Sequence, residues 1–264
     1  MTRTYVITGA ASGIGAATAK SLTQAGNNVI GIDLHNTDVE ADLSTVLGRH
    51  DAAKGAIKLS GGAIDAVIAC AGLAHPIAKT VSVNYFGPTE LLFALLPTLS
   101  KSKVPRVAIT SSMASLMPNN PELVAAMHEG DEEKAVAIAQ ALAKQGGGVE
   151  QLIYGSTNRA ISQWVCRGCI EPKWAGTGIP LNAVGTGVVK TLMVADKITT
   201  KTARNSLAQM VPMPLHGSME PEAVASLLIW LTSPANTHIT GQTIYIDGGS
   251  DAALRGENIW ELAK

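Results

Sequence analysis

Short apolar runs alternate with longer amphipathic segments along most of the chain. The runs have the length and β-branched content of strands, and most are followed by a segment with helical spacing of its apolar residues. This alternation predicts an α/β fold, a doubly wound parallel sheet with helices on both faces, and we expect one domain over residues 1–264. The predicted strands are Thr4–Thr8, Asn28–Asp33, Ala66–Ala69, Val107–Thr110, Pro180–Val184 and Gln242–Ile246. The predicted helices are Gly13–Ala25, Val83–Leu99, Tyr154–Trp174 and Pro221–Leu231, with a weaker one between Leu43 and Leu59.

Composition narrows the class of protein. The chain has 264 residues, is 46% hydrophobic and has a net charge of −1. A chain of this length can bury one large core, and it has no clustered positive charge to attract nucleic acid or an anionic membrane. We therefore expect a small molecule as its partner. No apolar stretch reaches the length of a membrane span, so we expect a cytoplasmic protein.

The three cysteines predict neither a disulfide framework nor a metal site. Their number is odd, which does not fit a disulfide framework. The spacing of Cys166 and Cys169 would allow a redox or zinc role, but this is the less favoured alternative. No second cysteine pair or histidine lies near enough in the sequence to complete a zinc site. We expect no bound metal.

The first strand–turn–helix unit carries a cofactor motif. The turn Thr8–Gly15, with the sequence TGAASGIG, follows the first strand and opens the first helix. Its glycines permit a tight turn, and the free N–H groups of the helix suit a pyrophosphate. Asp33 ends the next strand, where a carboxylate can bind both ribose hydroxyls and repel a 2′-phosphate. The motif predicts a Rossmann-type site for NAD rather than NADP. A glycine turn that serves only helix–sheet packing is the less favoured alternative.

A second candidate site opens the helix that begins near Tyr154. A tyrosine four residues before a lysine shares one helix face with it, and the ammonium then lowers the pKa of the phenol. Asn158 stands at the lysine position and brings no charge. Without a cation a phenol has a pKa near ~10 and is rarely ionised at neutral pH. Arg159 is adjacent but projects away from that face, so it is a doubtful substitute.

Together these features resemble the short-chain dehydrogenases/reductases over nearly the whole chain. The resemblance implies hydride transfer between a nicotinamide and a substrate carbon. The matching motifs, in chain order, are Thr8–Gly15, Asp42-Leu43, Cys70-Ala71-Gly72 with cysteine in place of asparagine, Asn84, Ser111-Ser112, Tyr154 and Asp247-Gly248-Gly249.

The resemblance also implies the role of each site residue. Tyr154 exchanges a proton with the substrate, Ser112 hydrogen-bonds the substrate oxygen, and Asn84 holds a water of the proton relay. The family lysine also binds the nicotinamide ribose, so Asn158 could keep a hydrogen bond but not the charge. The cofactor-binding residues implied are Gly9, Ser12, Gly13, Ile14, Gly15, Asp33, Leu34, Asp42, Leu43, Cys70, Ala71, Gly72, Tyr154, Asn158, Thr186, Gly187, Val189 and Thr191.

Thr186 is a second departure from the family pattern, which has proline before Gly187. Threonine restores an N–H and frees φ, so we expect a less rigid nicotinamide loop. Thr186 and Asn158 both belong to the reactive end of the cofactor site. Two hypotheses therefore stay open: an NAD-dependent oxidoreductase, which is favoured, and a catalytically impaired NAD-binding homologue with a regulatory or scaffolding role.

The segment between Ser112 and Tyr154 is longer than in most of the family. Residues 118–148 contain two helical patterns, Pro121–His128 and Asp131–Lys144. This insertion resembles the bacterial 3α-hydroxysteroid dehydrogenase/carbonyl reductase branch, where it is associated with a dimer. We expect a homo-oligomer, with a dimer favoured over a tetramer; a decorative surface insertion is the alternative. The apolar residues expected to form or shield a subunit contact are Leu123, Val124, Met127, Val136, Ile138 and Leu142.

Residues 190–219 are expected to fold over the substrate as a lid, as in the resembled family. The segment is rich in methionine, whose thioether adapts to irregular apolar shapes. A steroid, terpenoid or xenobiotic ketone therefore fits better than a sugar or an acid, although ordinary packing of the lid on the core is equally consistent with these residues. The predicted substrate-binding residues are Ser112, Leu192, Met193, Met210 and Met213.

Overall fold

The structure is a computed structural model that describes residues 2–194 and 200–257. Its centre is a seven-stranded parallel sheet with the strand order β3-β2-β1-β4-β5-β6-β7. The chain winds outward from β1 in one direction and from β4 in the other, which places a topological switch point between them. The predicted fold class is confirmed. The strands are β1 Thr4–Thr8, β2 Asn28–Asp33, β3 Val39–Glu40, β4 Ala66–Ala69, β5 Arg106–Ser112, β6 Leu181–Thr186 and β7 Thr243–Ile246.

Helices cover both faces of the sheet. On one face α1 packs against α9, and on the other lie α2, α4 and α7. None of the described helices is both long and apolar enough to cross a membrane. The helices are α1 Gly13–Gln24, α2 Val46–Leu59, α3 Lys79–Val81, α4 Gly87–Leu99, α5 Pro121–Glu129, α6 Glu132–Gln145, α7 Leu152–Gly168, α8 Lys201–Met210, α9 Pro221–Thr232 and α10 Ser250–Arg255.

Successive residues of the inner strands alternate between two buried cores. In β1, Val6 belongs to the core beneath α2, α4 and α7, whereas Tyr5 and Ile7 belong to the core beneath α1 and α9. In β4, Val67 belongs to the first of these cores and Ile68 to the second. Side chains of a strand point alternately to opposite faces, so a strand covered on both sides is apolar throughout. This is why short continuous apolar runs predicted the strands well.

Most predicted boundaries lie within two residues of the observed ones, and two helices differ by more. β1, β2 and β4 match to the residue. The helix predicted to end at Trp174 ends at Gly168, because Pro172 cannot donate a helical hydrogen bond and the chain turns back to bury Trp174. The helix predicted from Val83 is preceded by α3 and contains a π-helical turn, Ser82–Phe86, before α4 begins.

Besides α3, the sequence pattern misses one short strand and two helices of the part of the chain that the structure describes. Strand β3 is only two residues long and pairs with the end of β2. Helix α10 has six residues and follows Gly249, whose φ is +90°. Helix α8 lies within the predicted lid, of which residues 195–199 fall outside the described residues.

The insertion forms the two predicted helices, α5 and α6. The side chains of Asn120 and Asp131 cap them by accepting hydrogen bonds from main-chain N–H groups. The expected subunit contact is wrong for most of the named apolar residues, because α5 packs on α7 of the same chain and α6 packs on α3. The residues buried in this way are Leu123, Val124, Met127 and Leu142; Ile138 also packs against this core and Val136 is partly buried.

A buried arginine fastens the insertion to the rest of the fold. Arg49 of α2 has a side chain only 2% exposed, and its Nε lies 2.7 Å from Glu90 of α4. Its Nη1 donates to Glu132 of α6 at 3.2 Å, its Nη2 pairs with the same carboxylate, and Nη1 also donates to the Leu43 carbonyl. A guanidinium buried in this way requires these partners, so α6 is held to the edge of the cofactor half of the sheet.

Candidate active site

The glycine turn between β1 and α1 leaves no room for a side chain at Gly9 or at Gly15. A Cβ on Gly15 would lie 2.1 Å from the Gly9 carbonyl oxygen, and one on Gly9 would lie 2.8 Å from the Ala71 nitrogen. Gly9 and Gly13 have φ values of +69° and +53°, which favour glycine. Ser12 at the N-cap of α1 makes no capping bond with its side chain. The open helix N-terminus and close-packed backbone fit the pyrophosphate of a dinucleotide.

Asp33 lies at the rim of this turn, at the end of β2. Its Oδ2 accepts from the Ala11 N–H at 3.0 Å and its Oδ1 from the Leu34 N–H at 2.7 Å. These bonds orient the carboxylate while each oxygen keeps a further lone pair. A carboxylate held there can accept from ribose hydroxyls and would repel a phosphate.

Asp42, the predicted adenine contact, forms an ion pair across the opening of the site. Its Oδ2 lies 3.1 Å from Lys79 Nζ. Partial burial opposes ionisation, but hydrogen bonds from Ser44 and the Lys79 ammonium hold the pKa of Asp42 below its ordinary value. The carboxylate is therefore charged at neutral pH, and Leu43 beside it lines the same opening.

Thr8 fixes the loop that follows β4. Its Oγ1 accepts from the Cys70 N–H at 3.1 Å and from the Ala71 N–H at 3.0 Å. Burial raises the pKa of the Cys70 thiol to about 12. Cys70 therefore stays protonated at neutral pH and supplies main chain to the site rather than a thiolate.

Ser112 and Tyr154 meet where β5 ends and α7 begins. Burial raises the pKa of the Tyr154 phenol, and side-chain hydrogen bonds with Ser112 and Asn158 partly oppose that rise. Ser112 Oγ accepts from the Ala114 N–H at 3.1 Å and donates to the Thr186 carbonyl at 3.4 Å. Two hydroxyls placed in this way can hydrogen-bond one substrate oxygen, and the phenol can exchange a proton with it.

Asn158 lies one helical turn after Tyr154 and is buried between α7 and the sheet. Its Nδ2 donates to the Tyr154 carbonyl at 2.9 Å, and its Oδ1 accepts from Ser111 Oγ at 3.5 Å. No charged side chain among the described residues contributes to the pKa of Tyr154. The site as described therefore lacks the cation that the Tyr-x-x-x-Lys spacing would supply.

Two basic side chains that could take the place of the lysine, Arg159 and Lys190, are engaged elsewhere. Arg159 Nε donates to the Ser115 carbonyl, and Lys190 Nζ lies 2.7 Å from Glu220 Oε1. Ser115 Oγ also hydrogen-bonds Tyr245 Oη at 2.8 Å. Arg159 thus fixes the turn that follows Ser112 instead of replacing the missing lysine.

Asn84 lies in the π-helical turn and faces the main chain after β4. Its Oδ1 accepts from the Leu73 N–H at 2.8 Å, and its Nδ2 donates to the Leu73 carbonyl at 2.9 Å. A weaker contact joins Nδ2 to Thr157 Oγ1 on α7 at 3.4 Å. The Asn84 side chain therefore joins the loop after β4 to the helix that carries Tyr154.

A cavity of about 790 Å³ runs along the carboxyl ends of the strands. Every predicted site residue lines it except Asn84, Asn158 and Met213. Met213, which was predicted to contact the substrate, does not line the cavity. Its Sδ accepts from the Val188 N–H at 3.2 Å, and its methyl group packs against Gly187. It supports the nicotinamide loop from behind. Leu192 and Met210 line the cavity and are also largely exposed.

Several cavity residues were not predicted, because they come from segments far apart in the chain. Some follow β4, others flank the two ends of the insertion, and two lie on or after α8. No local pattern marks such residues, since only the fold brings them together. They include Ala74, His75, Ile77, Lys79, Val83, Met113, Met117, Pro118, Gly148, Gln151, Leu152, Leu207 and Val211.

Thr186 does not loosen its loop as expected. It is the last residue of β6, is buried, and pairs in register with Ser112 on one side and Ile246 on the other. Its hydroxyl donates to the Ser111 carbonyl at 3.4 Å. The next residue, Gly187, donates its N–H to the Ile246 carbonyl at 3.0 Å. These bonds replace the rigidity that a proline ring would supply.

Comparison with known proteins agrees with this site. Residues 9–251 match the family model described as enoyl-(acyl carrier protein) reductase, a short-chain dehydrogenase/reductase family. The chain is 38% identical to the 3-alpha-hydroxysteroid dehydrogenase/carbonyl reductase of Comamonas testosteroni, over 95% of this chain and 97% of that protein. The chain belongs to the short-chain dehydrogenase/reductase family. It is an oxidoreductase by that membership.

Two further relatives span most of the chain. The crystal structure of the 3-alpha-hydroxysteroid dehydrogenase of Pseudomonas sp. B-0831 complexed with NADH has a TM-score of 0.87 and 36% identity, and the match covers 96% of this chain and 99% of that one. A tropinone reductase homolog of Arabidopsis thaliana is 29% identical over 93% of this chain and 78% of its own length.

Proposed function

We propose that the protein is an NAD-dependent oxidoreductase that transfers hydride between the nicotinamide and a hydrophobic secondary alcohol or ketone. The observation that carries this proposal is the meeting of Ser112 and Tyr154 in the cavity that the glycine turn opens into. The NADH complex of the Pseudomonas relative and the names of both bacterial relatives support the cofactor and a steroid or other carbonyl substrate.

The residues that would hold the cofactor line the cavity in the order in which the cofactor's groups would lie along it, with Asp33 at the rim. Asp33 would accept from the adenosine ribose hydroxyls, the N-terminus of α1 would hold the pyrophosphate, and Val189 and Thr191 would hold the carboxamide. When bound, the nicotinamide supplies or accepts the hydride. Asn158, hydrogen-bonded to the Tyr154 carbonyl, stands at the family's ribose-binding lysine position and would keep a hydrogen bond to the ribose without the charge.

The chain's own groups would handle the proton and the substrate oxygen. Ser112 would donate to the carbonyl oxygen, and the Tyr154 phenol would give up its proton as the oxygen becomes an alcohol. Asn84 would act through the loop after β4 and through a relay water. Leu192, Met193 and Met210 would cover the apolar body of the substrate, since all three line the cavity.

The second candidate function is a catalytically impaired NAD-binding homologue with a regulatory or scaffolding role. It is favoured by one observation, the absence of a cationic contribution to the pKa of Tyr154 among the described residues. The homo-oligomer, with a dimer favoured, and the cytoplasmic location also stay predictions. Light scattering tests the first of these.

One experiment separates the two functions and tests the cofactor. Loss of NADH absorbance with a panel of cyclic ketones measures turnover, and nucleotide titration measures binding alone. We expect slow turnover that Tyr154→Phe abolishes. We also expect the protein to bind NADH more tightly than NADPH, because the Asp33 carboxylate repels the 2′-phosphate. In Asp33→Ala the difference between the two affinities should be smaller. Binding without turnover on any ketone supports the impaired homologue. Equal affinities for the two nucleotides in the unmodified protein overturn the assignment of NAD.

A further inference from the structure

Among the described residues, the proposed function accounts for all but two of the polar side chains, thiols aside, that line the cavity. Those with a cofactor or catalytic role, or paired with such a residue, are Ser12, Asp33, Asp42, Lys79, Ser112, Tyr154, Thr186 and Thr191. His75 and Gln151 line the same cavity and have no part in that chemistry. Both side chains are exposed to solvent at the cavity.

The two residues flank the insertion. His75 lies between β4 and α3, and Gln151 ends the turn Val149–Gln151 that leads into α7. Helix α6 packs against both α3 and that turn, so the insertion holds the two segments on either side of it. Gln151 is also three residues before Tyr154, a spacing that makes side chains neighbours on one helix face. Because α3 also packs against α7, both residues lie in segments held next to the helix that carries Tyr154.

Neither side chain is used inside the protein. Among the described residues, no hydrogen bond or ion pair involves the imidazole of His75 or the side-chain amide of Gln151, and only the main chains of the two residues are engaged. The His75 carbonyl accepts from Thr80 Oγ1 and from the Ile77 N–H, and the Gln151 N–H donates to the Gly148 carbonyl. The surrounding cavity wall is apolar, with Met113, Met117 and Leu152 close in sequence to the catalytic pair. Two unengaged polar groups in an apolar wall can fix the orientation of a ligand.

We propose that His75 and Gln151 determine substrate specificity by hydrogen-bonding a second oxygen of the substrate, remote from the carbon that reacts. An amide offers both a donor and an acceptor, and so does a neutral imidazole, so the pair suits a hydroxyl or a carbonyl. The substrate class is then a hydrophobic ketone or alcohol with two oxygen functions, one at each end of an apolar body. This inference rests on the proposed function and narrows its substrate.

The expected size of the effect follows from hydrogen-bond energetics. A hydrogen bond to a neutral group contributes enough to change affinity roughly tenfold. A substrate lacking the second oxygen would bind about tenfold more weakly, because the two side chains would stay with water or go unpaired. The apolar contacts of the rest of the substrate would be unchanged.

The test uses matched ketone pairs that differ in the second oxygen. We would compare cyclohexanone with 4-hydroxycyclohexanone, and androstan-3-one with androstane-3,17-dione, as pairs of different length. Affinity is measured by calorimetry with the full chain saturated with NADH, and turnover is measured separately. The variants are Gln151→Leu and His75→Leu. The matched controls are Gln145→Leu, on the exposed end of α6, and His50→Leu, whose side chain is 72% exposed.

In the unmodified protein and both controls, we expect the two-oxygen member of at least one pair to bind about tenfold more tightly. Each cavity variant should lose that preference and keep its affinity for the one-oxygen member. A preference that survives in both variants, or no preference in the unmodified protein, overturns the inference while leaving the proposed function intact. Failure of every ketone to bind the NADH complex overturns the proposed function and this inference with it.

Discussion

At the scale of single residues, the charge missing next to Tyr154 sets the chemistry of the site. Burial raises the pKa of this phenol, and among the described residues only hydrogen bonds with neutral side chains oppose the rise. During alcohol oxidation the ionised form of Tyr154, the phenolate, accepts the proton of the alcohol, so the rate should climb with pH toward that raised pKa. The protein as written should therefore be a slow catalyst whose rate still increases well above neutral pH.

Restoring the cation should reverse this behaviour. Asn158→Lys places an ammonium one turn from Tyr154, which should lower the pKa of the phenol and shift the rate profile to lower pH. Turnover should rise by roughly a hundredfold, within the usual range for positioned acid–base groups. The measurement is the rate of NADH formation from a secondary alcohol between pH 6 and 10.

Asn158→Gln is the matched control, since it lengthens the side chain without adding charge and should not shift the profile. Tyr154→Phe should remove activity in both backgrounds. An Asn158→Lys protein that folds, binds NAD and keeps the original rate and pH profile would show that the missing charge does not limit the reaction.

The residues of the site were predictable from sequence where a local pattern carries them. The glycine turn follows β1, and Asp33 and Ser112 end β2 and β5, so the pattern of strands places all three at one edge of the sheet. The partners of Asn158 were not predictable in the same way. Ser111 reaches its amide across the contact between β5 and α7, and only the packing of that helix on the sheet creates the bond.

At the scale of elements, the buried Arg49 makes the insertion part of the fold. Helix α6 contributes Glu132 to the guanidinium, whereas Glu133 in the same first turn is exposed. Both acidic residues interact alike with the helix dipole, so the ion pair is the main difference between them. The insertion should therefore depend on Glu132 in a way that a solvated helix would not.

Glu132→Ala should lower the free energy of unfolding by about 2 kcal/mol, because it leaves a buried guanidinium with fewer partners. Glu133→Ala, the matched control, should change it by about 0.5 kcal/mol or less. Urea denaturation followed by circular dichroism gives both values. Equal effects of the two substitutions would mean that Arg49 is satisfied without the insertion.

Elements with strong periodicity were predicted, and those that depend on tertiary contacts were not. The insertion helices have capping residues and apolar faces that the sequence displays, yet their burial in their own chain was missed. An apolar helix face is equally suited to another subunit and to a neighbouring helix, and sequence spacing does not distinguish them. Helix α8 was missed because few of its residues are buried.

At the scale of the whole molecule, His128 joins three parts of the fold through one partly buried imidazole. Tyr85, beside Asn84, lies 3.3 Å from its Nδ1, and Gln163 of α7 lies 2.9 Å from its Nε2. Burial lowers the pKa of His128, the bond to Gln163 opposes that effect, and the charge of Arg167 adds to it. Burial also raises the pKa of Tyr85, so the tyrosine remains a donor.

The lowered pKa of His128 makes global stability depend on pH. Between its lowered folded pKa and its unfolded value near ~6.5, the unfolded chain binds the proton more readily, so stability falls as pH drops through that window. His128→Gln should remove this component of the pH dependence, because glutamine keeps a donor and an acceptor but does not titrate. Urea denaturation from pH 7.5 to 5 measures it.

His50→Gln provides the comparison on the surface, with a side chain 72% exposed. The slope of stability against pH should decrease in His128→Gln and not in this control. If His128→Gln retains the full slope of stability against pH, the His128 imidazole is not the group responsible for this pH dependence.

The base of the segment 190–219 has a consequence for how the protein could change over time. Lys190 donates its N–H to the Met219 carbonyl at 2.9 Å, and Met219 donates to the Val188 carbonyl at 3.0 Å. The two ends of the segment are therefore hydrogen-bonded to each other where the segment leaves and rejoins the rest of the fold. Lengthening such a loop costs little, about 0.6 kcal/mol for each doubling of its length. A foreign segment joined at those two residues should leave the sheet and glycine turn as they are if it keeps Thr191 and Met213, which meet the cofactor site. Substrate range can then diverge while the cofactor half is inherited unchanged.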